Sequence, residues 1–117
     1  MEKLIAQIFM MRNAAHIAHW QSKSYSEHKA LGKFYEEIIE LLDGLVEASM
    51  GAVGVIKDIP TVAPGDPRDI LNMLRDGVVW INKNKPECCK NISALENIVD
   101  EIVALHLQTI YKLENLR

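Results

Sequence analysis

The chain has few cysteines, few aromatic residues and no long apolar run. Its 117 residues include two cysteines, and Phe, Trp and Tyr together make up 6%. No stretch approaches the roughly 20 apolar residues that cross a bilayer, so no membrane-spanning segment is expected. Cys88 and Cys89 are adjacent, which disfavours a disulfide between them, and they lack the further ligands of a zinc motif. We therefore expect reduced thiols and a cytoplasmic protein.

Basic segments are also missing, because neither end of the chain is rich in lysine and the formal net charge is -3. This balance argues against nucleic acid as a partner, since phosphates attract basic surfaces. The apolar N-terminus contains Glu2 and Arg12 and lacks a clear small-residue cleavage site. We therefore interpret it as mature protein rather than a signal peptide, and we expect no membrane partner.

The pattern along the chain predicts helices and almost no strand. Apolar residues recur every three or four positions, which predicts helices at about 3–23, 24–51, 67–82 and 93–117. Ser24 and Ser93 are each followed three residues later by a glutamate, the pattern of a capping box. The fold class is therefore all-α, with one domain over residues 1–117 and a four-helix bundle as its architecture. Three helices with a loose loop are the structural alternative.

The predicted second helix carries an acidic strip, defined as Glu36, Glu40, Asp43 and Glu47. On a helical wheel these side chains lie within roughly 60° of one another and far from the apolar stripe. Like charges three and four residues apart repel mildly, and no lysine stands four residues after any of them. A solvated acidic face is one interpretation, and a face turned towards a cation or a neighbouring subunit is the other.

Three of the four histidines, His16, His19 and His28, lie within thirteen positions. His19 and His28 flank a short connection between helices, so they can approach each other. His28 and Asp43 are separated by fifteen residues of one helix, or roughly 22 Å. If the histidines share a metal with Asp43 and Glu47, the carboxylates must come from another chain in a symmetric dimer. Glu-x-x-His, the motif of di-iron bundles, is absent.

The pair His19-Trp20, the later His28, and Asp43-x-x-x-Glu47 resemble the Dps family of mini-ferritins. The resemblance covers residues 12–50 and implies a ferritin-like four-helix bundle that forms at least a two-fold dimer, with a higher shell as an option. It implies a ferroxidase centre between two subunits, with His19, His28, Asp43 and Glu47 as metal ligands. Iron is the implied metal, oxidised by peroxide or dioxygen; zinc and manganese are alternatives for these donors.

The chain also departs from that family. The segment between the two histidines is shorter than usual, Gly32 stands where an additional acidic ligand is often found, and the lysine-rich extension is missing. Two hypotheses stay open. The first is a Dps-like iron-binding protein, with ferroxidase activity as its enzymatic form. The second is a ferritin-like bundle with a structural or protein-interaction role and no such activity.

Two further histidines and a tryptophan are not among the expected metal ligands. His16 lies on nearly the same side of its helix as His19 and could add a ligand, but a hydrogen-bonded interface histidine is the favoured interpretation. His106 is isolated in the predicted fourth helix and is expected to be structural. Trp20 is expected to pack beside the site at the dimer contact.

Overall fold

A computed structural model describes residues 1–116, and most of these residues are helical. The α-helices are α1 Glu2–Gln21, α2 Tyr25–Val53, α3 Ile70–Cys88 and α4 Ser93–Asn115. A single 3₁₀ turn, Pro67–Asp69, precedes α3. The all-α prediction with four helices is confirmed, and the described residues contain no strand. Within this part of the chain, no helix combines the length and apolar character needed to span a membrane.

Each helix packs against two others around a common core. α1 contacts α2 and α3, and α4 contacts the same two helices. The end of α3 at Cys88 lies beside Met1, whereas Arg75 near its start pairs with Glu114 near the end of α4. α1 and α4 therefore run in one direction, and α2 and α3 run in the other. Residues 54–66 must consequently return along the bundle to join α2 to α3.

Burial of one apolar stripe from each helix forms the core. Each large apolar side chain removed from water stabilises the fold by about 1.5–3 kcal/mol. The largest fully buried apolar side chains are those of Leu4, Ile8, Leu31, Phe34, Ile38, Leu42, Leu45, Leu74, Val99 and Ile102. His106 is buried among them; its Nδ1–H donates to the Ile102 carbonyl at 2.8 Å, and its ring meets Phe34 edge-on. Burial lowers the pKa of His106, so its ring is neutral in the core.

The third helix is longer than the sequence prediction. Its predicted end at residue 82 is wrong, because α3 continues through Pro86 to Cys88. A proline in the last turn removes one backbone hydrogen bond without breaking the turns that precede it. The helix ends where Lys90 and Asn91 adopt φ angles of 51° and 57°, in the left-handed region, and the Asn91 N–H donates to the Pro86 carbonyl.

The two predicted capping boxes have different outcomes. At the start of α2, the Ser24 hydroxyl accepts a hydrogen bond from the Glu27 N–H, which confirms Ser24 as the cap. The other half of the box does not form, because the Ser24 N–H donates to the Ser22 hydroxyl. At the start of α4, the prediction for Ser93 is wrong, because Ile92 is the N-cap residue and no side chain caps the helix. The preceding left-handed turn starts the helix one residue earlier than expected. α4 ends at Asn115, and residue 117 of the predicted helix lies outside the described residues.

We expect the substitution Ser24→Ala to lower the free energy of unfolding by about 1 kcal/mol, because it removes a capping hydrogen bond. Ser93→Ala is the matched control and should change stability by less than about 0.5 kcal/mol, since Ser93 is exposed and caps nothing. Urea unfolding of both variants measures the difference. Equal losses would contradict the assigned helix starts.

Candidate metal centre

Two histidines hold the ends of α1 and α2 together. The rings of His19 and His28 are stacked, with centroids 3.6 Å apart and planes 17° from parallel. His19 Nδ1 lies 2.6 Å from the His28 carbonyl oxygen, and His28 Nδ1 lies 2.8 Å from the His19 carbonyl oxygen. Because a carbonyl only accepts, both Nδ1 atoms carry the hydrogen. In the neutral rings each Nε2 then keeps a lone pair, the arrangement usual for metal-binding histidines.

The local sequence explains why the two rings meet. Three residues connect α1 to α2, and the hydroxyl of Ser22 bonds the backbone of Ser24 within this turn. Gly32 faces His19 from α2, and a Cβ there would lie 3.1 Å from His19 Cε1 and 3.3 Å from Nδ1. The missing side chain therefore gives the His19 ring its space. An acidic residue at position 32 would have to displace that ring.

The predicted carboxylate ligands lie elsewhere on α2. Asp43 and Glu47 are exposed, and no hydrogen bond or ion pair within residues 1–116 engages either one. Within the described chain, no three side chains of His, Cys, Asp or Glu lie close enough together to hold a metal ion. One chain thus brings His19 and His28 together but does not bring Asp43 and Glu47 to them.

A cleft beside the histidine pair is lined by two carboxylates and two lysines that were not assigned to the site from the sequence. Glu36, Glu37, Lys29 and Lys33 line it together with His19 and His28, and Lys33 pairs with Glu37 at 3.8 Å. Glu36 belongs to the acidic strip, so its exposure was predictable from the helical wheel. Its closeness to the histidines was not, because that depends on how α1 and α2 are rotated against each other.

A stack of aromatic and cationic groups continues from this end of α1. The His16 ring stacks on Tyr35 with centroids 3.9 Å apart, and it contacts Trp20 at 4.3 Å. The Arg12 guanidinium lies 5.3 Å from the centre of the Tyr35 ring. Partial burial, together with the charge of Arg12, lowers the pKa of His16. In the described chain, His16 is thus positioned by ring stacking rather than by the expected hydrogen bonds.

Arg12 was not identified from the sequence, and its contacts are unusual. Its Nη1 donates to the neighbouring Asn13 side chain, and its Nε is buried with no hydrogen-bond partner among residues 1–116. None of the ion pairs in this part of the chain includes Arg12. The half-buried guanidinium therefore has no carboxylate partner among the residues that the structure describes.

The two cysteines lie at the opposite end of the bundle from the histidine pair. Both are free thiols, and Cys89 is buried. Burial raises the pKa of Cys88, and it raises that of Cys89 to about 11. Both groups are therefore protonated at neutral pH, which makes them poor nucleophiles and poor metal ligands.

Comparison with known proteins gives two similarities. The chain matches a family described as a family of unknown function, DUF5856, over residues 19–113. It is also 28% identical, over 102 residues, to an uncharacterized 14.6 kDa protein from the mobD-ri intergenic region of Enterobacteria phage T4. That alignment covers 84% of this chain and 75% of the phage protein. No solved structure is significantly similar to the chain.

Because Gly32 lies against His19, we expect alanine substitutions at Gly32 and at Gly44 to change the stability of the protein by different amounts. Gly44→Ala should raise the free energy of unfolding by about 0.5–1 kcal/mol, because a Cβ at that exposed helical position meets nothing. Gly32→Ala should give less than half of this gain, because its Cβ crowds the His19 ring. Thermal or urea unfolding compares the two variants. Equal stabilisation would show that the ring does not depend on the missing side chain.

Proposed function

The chain belongs to this family of unknown function, and we propose that it is a Dps-like, ferritin-like bundle that binds ferrous iron at a site shared by two copies. The observation that carries this proposal is the His19–His28 pair, with both Nδ1 atoms bonded to backbone carbonyls and both Nε2 atoms free of such bonds. The second copy contributes Asp43 and Glu47. Each two-fold dimer then contains two identical sites.

The path of the chain supports the ferritin-like architecture. α1 and α4 run one way, α2 and α3 run the other way, and one long segment, residues 54–66, joins the second helix to the third. Ferritin-like bundles differ from simple up-down-up-down bundles by having one such long crossover.

The chemistry of the donors supports iron. Imidazole nitrogens and carboxylate oxygens together suit ferrous iron, and zinc and manganese accept the same donors. Each histidine would bind through Nε2, while the backbone carbonyl at its Nδ1 keeps the ring oriented. The carboxylates would supply negative charge, which favours the ferric product. Ferrous iron is the substrate in this proposal, and peroxide or dioxygen takes its electron.

The distance along α2 supports sharing between chains. His28 and Asp43 stand fifteen residues apart in one continuous helix, or roughly 22 Å along its axis. No side chain spans that distance, and the exposed position of Asp43 and Glu47 leaves both carboxylates accessible to a second copy. A symmetric dimer is the simplest arrangement that gives each histidine pair a carboxylate pair.

A second candidate function is a structural or protein-interaction role without ferroxidase activity. The same reciprocal hydrogen bonds join α1 to α2 whether or not a metal binds. Gly32 supplies space for His19 instead of an acidic ligand, and Trp20 is 68% exposed, as an interface aromatic would be before its partner binds. A measurement of ferrous-iron binding distinguishes the two candidate functions.

Two ligand-deficient variants test the shared site. One carries His19→Ala with His28→Ala, and the other carries Asp43→Asn with Glu47→Gln; neither should bind ferrous iron alone in anaerobic calorimetry. Refolded together at equal amounts, they should regain about a quarter of the wild-type sites, because half of the dimers are mixed and each mixed dimer has one intact site.

A control variant and a folding check accompany this test of iron binding. Asp76→Asn with Glu101→Gln changes two exposed carboxylates on α3 and α4 and should leave iron binding unchanged. Far-UV circular dichroism checks that every variant is folded. Mixing without recovery would contradict a shared site. A wild-type chain that binds no ferrous iron would favour the structural role.

A further inference from the structure

We propose that the side of the bundle formed by α1 and α2 is a two-fold interface with a second copy of this chain, in which Arg12 of each copy pairs with Glu36 and Glu40 of the other. This side is called the α1–α2 face below. It comprises Arg12, His16, Trp20, Tyr35, Ile39 and the acidic strip. The position of the two-fold axis rests on the proposed shared site, whereas the ion pair itself can be tested without metal.

The first support is the unmatched cation on this face. Arg12 is held against Tyr35, and its Nε is both buried and without a hydrogen-bond partner in the described chain. The rest of the guanidinium has a single hydrogen bond, from Nη1 to Asn13, and no ion pair within residues 1–116, so its outer edge is available to a carboxylate of a partner. A guanidinium also binds carboxylates through two parallel hydrogen bonds, which fixes their relative orientation.

The second support is the unmatched negative charge on the same face. All four residues of the acidic strip are exposed, and none takes part in an ion pair within residues 1–116. A two-fold interface uses the same surface on both copies, so that surface must carry both halves of each contact. The α1–α2 face satisfies this condition, because Arg12 lies on α1 and the four carboxylates lie on α2. Lys29 and Lys33, which line the cleft beside Glu36, add positive charge at one end of the strip.

The third support is the register along α2. Pairing His28 with the carboxylates of a second copy places the two-fold axis midway between residue 28 and residues 43–47, at about residue 36 or 37. Arg12 contacts Tyr35 and therefore lies within about one helical turn of that axis. The groups facing it across the axis are then Glu36 and Glu40 of the second copy.

The apolar character and size of the face also fit a second copy. Trp20 is 68% exposed and contacts the His16 ring, and Ile39 and Val46 of α2 are only partly buried. The bundle is 43 Å long and 22–25 Å across, so one side can supply the roughly 800 Å² that each partner buries in a standard interface. Aromatic side chains and arginine are both enriched in such interfaces.

A charge-swap experiment tests the ion pair in buffer containing a chelator and no added metal. One variant carries Arg12→Glu, and the other carries Glu36→Lys with Glu40→Lys. Each alone places like charges together and should raise the dimer dissociation constant at least about tenfold by sedimentation. Mixed, the two should form a heterodimer of near wild-type affinity, because both cross-contacts regain opposite charges.

Matched controls are Lys83→Glu on α3 and Glu101→Lys on α4, both exposed and outside this face, which should leave the dissociation constant unchanged. A wild-type chain that sediments as a monomer at every concentration would overturn the proposal, and so would a mixture without heterodimer. Heterodimer formation supports the interface even where the ligand-deficient variants fail to recover iron binding. In that case the proposed function would be wrong and the interface would stand.

Discussion

The reciprocal hydrogen bonds between His19 and His28 orient two imidazole rings where α1 meets α2, and the proposed metal site depends on that orientation. Each ring is oriented by a backbone carbonyl at the junction of two helices, so its direction depends on the main chain and not on a mobile side chain. Gly32 completes this arrangement by leaving space for one ring. The result is two preoriented imidazoles, and no carboxylate among residues 1–116 lies close enough to share a metal ion with both of them.

Three separate features of the chain are each incomplete within residues 1–116. The histidine pair has nitrogen donors without further ligands, the acidic strip makes no ion pair, and the Arg12 guanidinium has no carboxylate partner. Nothing within one chain requires these three features to occur on the same side of the bundle. The proposed two-fold dimer through the α1–α2 face would engage all three at once, because an axis that brought histidines to carboxylates would also bring Arg12 near Glu36 and Glu40 of the second copy.

Much of the fold could be predicted from the sequence, because it depends on local rules. The spacing of apolar residues gave four helices, and the short connection correctly brought His19 close to His28. The predictions of helix ends were wrong at the end of α3 and at the start of α4, where two local signals favour different end points. The apolar spacing predicts an end of α3 at residue 82, whereas the helix continues through Pro86 to Cys88. The serine-glutamate spacing predicts Ser93 as a cap, whereas the left-handed residues before it make Ile92 the N-cap.

The remaining parts of the site required information that periodicity does not contain. The stack of Arg12, Tyr35 and His16 joins two helices, so it depends on their relative rotation about their axes. The exposure of Asp43 and Glu47 followed from the helical wheel, whereas what they face in a complex is a property of a second chain. Relatives of unknown function add no ligand or partner to this interpretation.

The most direct measurement is anomalous diffraction at the iron absorption edge from crystals soaked anaerobically in ferrous iron. We expect a peak within coordination distance of His19 and His28 Nε2 from one copy and of the Asp43 and Glu47 carboxylates from another, repeated by the two-fold axis. A peak whose ligands all come from one chain, or no peak beside the histidine pair, would contradict a shared iron site.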